Sequence, residues 1–364
     1  MADKPDAITE KLRVWEPPPD RTRITTLDAH TAGEPLRIVT GGFPEAPGRT
    51  ILERRAFIKD NLDHLRTALM FEPRGHADMY GCVLTRPVEE GSRFGVIFMH
   101  NEGYSTMCGH AVIALAEVAV RMAPVTEIAM DTAAGKVRAF VRIEGGERGE
   151  KGEKGEKGKR GEGGEIAAVW FHNVPSFVLA AGRAVDVPGL GTVRYDIAFG
   201  GAFYAFVDAD ALGIAMEERN VRDLIQKGMA VKRAVMASGP IVHPFEKDLG
   251  FLYGTIFTGR GHTAGVDSRN VCVFAEGEVD RSPTGTGVSA RMALHHSRGE
   301  IGVDEPMVIE SLIGTRFVGR VVQTVKFGPY DAVIPQVEGR AFITGRHEFL
   351  IDPRDPLGAG FILR

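Results

Sequence analysis

The chain has 364 residues, 43% of them hydrophobic, which is enough for two domains of ordinary size, each with its own core. Its net charge is −4 with acids and bases interspersed, which excludes a broad basic face for nucleic acid or anionic membrane and leaves a small molecule as the expected partner. Three cysteines with no CxxC spacing exclude a disulfide framework and a cysteine zinc site, so a reducing compartment is expected.

Residues 1–20, polar and ending Pro17-Pro18-Pro19-Asp20, read as a disordered lead-in without the apolar stretch of a signal peptide. No apolar run reaches the roughly eighteen residues of a membrane span, and the expectation is a soluble, cytoplasmic protein. Residues 24–30 and 36–40 read as short strands about the turn Thr31-Ala32-Gly33-Glu34-Pro35. Residues 49–69 have helical spacing (Ile51, Leu52, Phe57, Ile58, Leu62, Leu65, Leu69) and predict one amphipathic surface helix. Strands at 79–84 and 94–100 lead to Thr106-Met107-Cys108-Gly109-His110, which opens a helix apolar nearly all round (Val112, Ile113, Leu115, Ala116, Val118). Such a helix must be enclosed, as if threaded through a curved sheet.

Glycine then recurs at every third position from Gly146 to Gly164, filled mostly by Glu and Lys. The period is that of collagen, but about six triplets without proline are too few for a triple helix, so 146–164 reads as a solvated insertion between strands; a trimerisation arm is the sharper alternative. A second set of strands follows at 168–171, 177–180, 193–199 and 202–207. A helix at about 217–237 and strands near 250–257 and 270–274 lead to Asp280-Arg281-Ser282-Pro283-Thr284-Gly285-Thr286-Gly287 and another helix. Short strands are expected from 301 to 345. The two halves run in the same order, which suggests a duplicated unit.

Both glycine turns that open helices offer unpaired N–H groups and the positive end of a helix dipole, and so can seat a carboxylate. At the first, Cys108 is either a buried small hydrophobe or a thiolate whose pKa the dipole lowers below ~8.5. Cys82 and Cys272 lie in strand patterns and read as structural. Asp280 caps its helix or binds a cationic amine, and Arg281 either holds Asp280 or a neighbouring strand or touches substrate. A thiolate base facing an anion seat suits removal of a proton α to a carboxylate. With no metal-ligand spacing and no lysine in a persuasive setting, a metal-free and cofactor-free version leads.

The pair Met107-Cys108-Gly109-His110 and Asp280 through Gly287 closely resembles the signatures of the proline racemase family, over nearly the whole chain. The likeness extends to Asp28 through Pro35, Glu72-Pro73-Arg74-Gly75-His76, Gly200-Gly201-Ala202-Phe203-Tyr204 and Asp267-Ser268-Arg269-Asn270. It implies an α+β fold of two similar domains, each a barrel-like sheet around a central helix, as in proline racemases and diaminopimelate epimerases. The expected division is 21–185 and 186–340, with 341–364 returning to the first domain. The likeness also implies a homodimer and an imino acid substrate whose carboxylate rests on N–H groups of Gly109, His110, Gly285 and Thr286, with Asp280 and His110 beside its ring nitrogen.

One departure narrows the reaction. Racemases and epimerases of the family carry cysteine where this chain has Thr284, because inversion needs an acid on the face opposite the base, and a threonine hydroxyl is too weak an acid for that. The Cys108/Thr284 pair, with Phe251-Leu252-Tyr253-Gly254-Thr255, resembles the trans-3-hydroxy-L-proline dehydratases instead. The resemblance implies α-proton removal by Cys108, loss of the 3-hydroxyl as water, and Δ1-pyrroline-2-carboxylate as product; from its place opposite Cys108, Thr284 is expected to hold either the departing hydroxyl or a water that protonates it. The competing expectations are an isomerase acting on proline or 4-hydroxyproline, and a non-enzymatic scaffold assembled through 146–164.

Overall fold

The computed structural model describes residues 7–123, 125–144 and 164–363. The glycine-triplet run therefore lies outside the described residues, apart from Gly164. Where disorder is expected of residues 1–20, helix α1 (Ala7–Arg13) forms, a stretch free of Gly and Pro with Glu10 and Arg13 paired one turn apart. Strands β1 (Thr22–Thr31) and β2 (Glu34–Gly41) pair antiparallel about Ala32 and Gly33, which take up φ of 52° and 92°.

The single surface helix expected over 49–69 is two helices, α2 (Ile51–Asn61) and α3 (Asp63–Met70). Thr50 caps α2 by accepting the Glu53 N–H at 3.1 Å, and the chain breaks at Leu62, where φ is −125° and ψ 11°. The break is a packing event. It turns Leu65, Leu69 and Met70 inward onto Ile24, Val39, Met79, Val83 and Met99, so α3 is largely buried.

The first lobe continues through β3 (Tyr80–Thr85), β4 (Phe94–His100), β5 (Gly103–Ser105), helix α4 (Gly109–Met122), β6 (Glu127–Thr132), β7 (Gly135–Glu144) and β8 (Glu165–His172). Its sheet runs β1–β2–β3–β4–β6–β7–β8 and curls around α4, whose residues from Gly109 to Val118 are all buried. The second lobe contains β9 (Ser176–Val187), β10 (Gly191–Phe199), β11 (Phe203–Asp208), helix α5 (Val221–Ser238), β12 (Leu252–Gly259), β13 (Ser268–Phe274) and β14 (Glu278–Val279). It goes on with helix α6 (Gly285–Ser297), β15 (Met307–Glu310), β16 (Arg316–Phe327) and β17 (Tyr330–Gly339). Its ring closes in the order β9–β10–β11–β12–β13–β15–β16–β17 and back to β9 around α6, which is buried from Gly285 to Leu294.

Strand β9 pairs within the second sheet, so a division at 185/186 would cut through a strand; the chain passes between sheets at residues 173–175. Nor are the last strands short. Strands β16, β17 and β18 (Ala341–Ile351) span 12, 10 and 11 residues. Strand β17 pairs with β9 at Ala332 and Val333 and with β8 from Gln336 to Gly339, after which β18 runs antiparallel along β1 from Thr31↔Ala341 to Thr22↔Ile351. One nearly continuous ribbon thus serves both lobes. Among the described residues no helix is long and apolar enough to cross a membrane.

Candidate active site

The two enclosed helices begin at the same place. Residues Cys108 and Thr284 occupy the positions just before α4 and α6, and neither side chain caps its helix. The first helical bonds are Val112 N–H to Cys108 O at 3.1 Å and Val288 N–H to Thr284 O at 2.7 Å, so the N–H groups at 109–111 and 285–287 have no partner inside the helices. Glycine is required where the starts meet. A Cβ on Gly109 would lie 2.7 Å from Gly285 Cα, and one on Gly285 would lie 2.8 Å from Gly109 Cα. Two positive helix ends converge here on one small volume, which is a seat for a single carboxylate. The turn at Gly200 and Gly201 closes one side: Thr106 Oγ1 donates to Gly201 O at 2.7 Å, and a Cβ on Gly200 would strike Thr286 O.

All seven sequence-predicted residues, Cys108, Gly109, His110, Asp280, Thr284, Gly285 and Thr286, line this cleft. Cysteine 108 is buried, with Sγ 3.1 Å from His110 Nδ1. Contrary to the expectation from the helix dipole, its thiol is held well above its ordinary pKa. Burial is the main cause and the nearby Asp280 and Glu34 carboxylates add to it, overriding donation from the Ala111 N–H and the Tyr80 hydroxyl. Burial also pushes His110 down to about 3, against a hydrogen bond to the Pro35 carbonyl, so its imidazole is neutral near pH 7.

Residue Asp280 does not cap α6. Its Oδ1 accepts the Ser282 N–H at 2.7 Å, and burial raises its pKa. Arg281 reaches across to the first lobe, with Nη1 2.8 Å from Asp78 Oδ2. Thr284 is held at φ 67°, a strained conformation for a β-branched residue, with its hydroxyl facing Asp280 and Cys272 but in no well-formed hydrogen bond. The Thr286 hydroxyl lies 2.7 Å from Tyr204 Oη.

Seven further residues line the cleft: Glu34, Tyr80, Met107, Tyr204, Tyr253, Cys272 and Phe274. Of these, Cys272 was read as structural, and the others drew no individual notice. Glu34, Met107, Tyr204 and Tyr253 lie inside stretches that carry the resemblance, which is the signal the sequence offers for them. The space left between all these groups is about 20 Å³, little more than one water needs and too little for an imino acid as the lining side chains stand. A roomier hollow of about 370 Å³ along residues 39–46 and 83–86 lacks convergent reactive groups; its one ion pair, Arg86 with Glu45, is exposed. Among the described residues no group of three or more His, Cys, Asp or Glu is placed to hold a metal ion. The arrangement can bind a carboxylate, face an amine with a carboxylate of its own, and take a proton from the carbon between them with a thiol.

The family profile described as proline racemase matches residues 26–153 and 155–362. A trans-3-hydroxy-L-proline dehydratase from Colwellia psychrerythraea is 44% identical over 363 residues, 97% of this chain and 97% of that protein. A 3-hydroxyproline 2-epimerase from Burkholderia multivorans is 45% identical over 347 residues, 94% and 98% of the two chains. Among solved structures, a hydroxyproline epimerase from Agrobacterium vitis with bound trans-4-hydroxy-L-proline superposes with a TM-score of 0.83 at 28% identity, covering 94% of this chain and 96% of that one.

Proposed function

Because the chain belongs to the proline racemase family, we propose that it is a hydro-lyase that converts trans-3-hydroxy-L-proline to Δ1-pyrroline-2-carboxylate. The observation that carries this reading is the pair of residues before the two facing helices, one a thiol and the other Thr284. The substrate carboxylate sits on the N–H groups of Gly109, His110, Gly285 and Thr286, and the ring ammonium lies between Asp280 and His110. Cys108 takes the α-proton. The developing negative charge is spread toward the helix ends, and the carbanion collapses by expelling the 3-hydroxyl. The ammonium brings a positive charge beside Asp280 and so offsets the influence that keeps the free thiol protonated.

A second reading, epimerisation at C2, is favoured by the Burkholderia relative and by Cys272, a second thiol that lines the cleft beside Thr284. The two readings separate in deuterated water. Dehydration yields a pyrroline from trans-3-hydroxy-L-proline and leaves the configuration of L-proline unchanged; sustained inversion of either imino acid, or no pyrroline, would sink the first reading. Replacing Cys108 by Ser should cost at least ~10²-fold in turnover with an unchanged circular dichroism spectrum. Thr284→Cys should add inversion by restoring a thiol on the far face, which chiral chromatography would detect.

The proposal includes a cytoplasmic location and a homodimer. Three buried free cysteines support a reducing compartment, and sedimentation of the purified protein tests the dimer.

A further inference from the structure

Stereochemistry constrains where the acid must stand. In trans-3-hydroxy-L-proline the 3-hydroxyl is trans to the carboxyl, hence on the same ring face as the α-hydrogen. If Cys108 takes that hydrogen, as proposed above, the leaving hydroxyl departs on the Cys108 side. Thr284 opens the other helix and faces the opposite side of the ring, so it cannot hold the departing hydroxyl.

Glu34 belongs to the lobe that carries Cys108. It is 1% exposed, begins β2 of the same lobe, and lies close enough for its charge to raise the Cys108 thiol. Two bonds fix its hairpin to the start of α4: Thr31 Oγ1 donates to His110 O at 2.8 Å, and the Pro35 carbonyl accepts from the His110 ring. Carboxyl oxygen Oε2 accepts the Arg281 N–H at 2.7 Å, while Oε1 is buried with no hydrogen-bond partner, and the residue lines the cleft. An oxygen left so, in the cleft that holds Cys108, is placed for a substrate group. Of the other polar groups nearby, Tyr80 pairs with Ser105 and the His110 ring with Cys108 and Pro35; the Tyr253 hydroxyl is also buried in the cleft without a hydrogen-bond partner, but a phenol is a far weaker acid than a carboxyl.

We propose that Glu34 protonates the departing 3-hydroxyl through Oε1, on the ring face from which Cys108 removes the α-proton. The Cα–H bond breaks with its proton going to Sγ, and its electron pair forms the C2–C3 double bond. The C3–O bond breaks with its pair on oxygen, which takes the Glu34 proton and leaves as water. One proton then passes from the thiol to the Glu34 carboxylate through solvent to reset the pair. Burial, with Asp280 nearby, holds the Glu34 carboxyl in its protonated form well above the usual carboxylate range, as this role needs.

The test is Glu34→Gln, which can still accept the Arg281 N–H, assayed on trans-3-hydroxy-L-proline and on trans-3-fluoro-L-proline. Fluoride departs without a proton and hydroxide does not. Loss of water should fall at least ~10²-fold while loss of fluoride stays within about threefold of the parent. Two results overturn the proposal: water loss within about threefold of the parent, meaning that Cys108 returns the proton itself, or equal falls on both substrates, meaning that Glu34 only shapes the cleft. Should the Gln variant fail to fold, Glu34→Ala is assayed with added formate, which must restore water loss without changing fluoride loss. A parent protein that eliminates from neither substrate would instead refute the dehydratase reading.

Discussion

Cys108 sits between opposing influences of unequal size. A helix end and two donated hydrogen bonds favour its thiolate, while burial, which can move a pKa by ~3–5 units, and two neighbouring carboxylates oppose it. Burial prevails in the unliganded protein. The rate of Cys108 alkylation by iodoacetamide should therefore climb with pH through a midpoint above the ~8.5 of a free thiol. Asp280→Asn should lower that midpoint by removing one like charge, a readout that does not depend on substrate binding. Glu34 carries a sign of its own. Its folded-state pKa lies above its unfolded value, so ionising it costs folded-state stability, a penalty absent at low pH and complete once pH exceeds the raised value. Melting temperatures of Glu34→Gln and the parent should thus diverge as pH rises above the ~4.3 of a free glutamate, with the variant the more stable at high pH.

Two helices that begin glycine to glycine have no room for a side chain between them. Gly109→Ala places a methyl 2.7 Å from Gly285 Cα, so the helix starts must separate; a stability loss of about 1–3 kcal/mol in urea titration and a much larger proportional loss of turnover are expected. This contact was half legible in the sequence. Glycine turns opening helices at 109 and 285 could be read, as could enclosure of α4 from its apolar circumference, but their meeting follows only from each helix being ringed by its own sheet. The break at Leu62 was hidden, because residues 49–69 keep one helical period and the decision lies in the packing of Leu65, Leu69 and Met70. Cleft-facing Cys272 was hidden for a different reason. Every residue of β13 is buried, so no alternation marks which face looks onto the site. Glu34 reads as a charged turn residue, and it becomes buried only once the second lobe closes over it.

Besides a shared apolar core and strand β17, polar contacts join the two lobes across the cleft. Arg281 pairs with Asp78 and gives its N–H to Glu34, Thr315 Oγ1 donates to Ala32 O at 2.7 Å, Thr106 bonds Gly201, and His100 Nδ1 lies 3.2 Å from Glu278 Oε2. The cleft as it stands leaves too little space for an imino acid, so contacts across it oppose whatever opening entry requires and favour the closed form. The Arg281–Asp78 pair is partly exposed and so worth about 1 kcal/mol. Asp78→Asn should raise KM about fivefold with a smaller change in kcat, measured by steady-state kinetics. The ribbon from Tyr330 to Ile351 has a consequence for how the chain matures. Strand β1 finds its second neighbour only in β18, Thr22 beside Ile351, so the first lobe to be synthesised is the last to be completed. During synthesis the outer edge of β1 stays open until nearly the whole polypeptide has emerged, an interval in which it can pair with other chains, and this protein should depend on chaperones more than its compact native shape suggests.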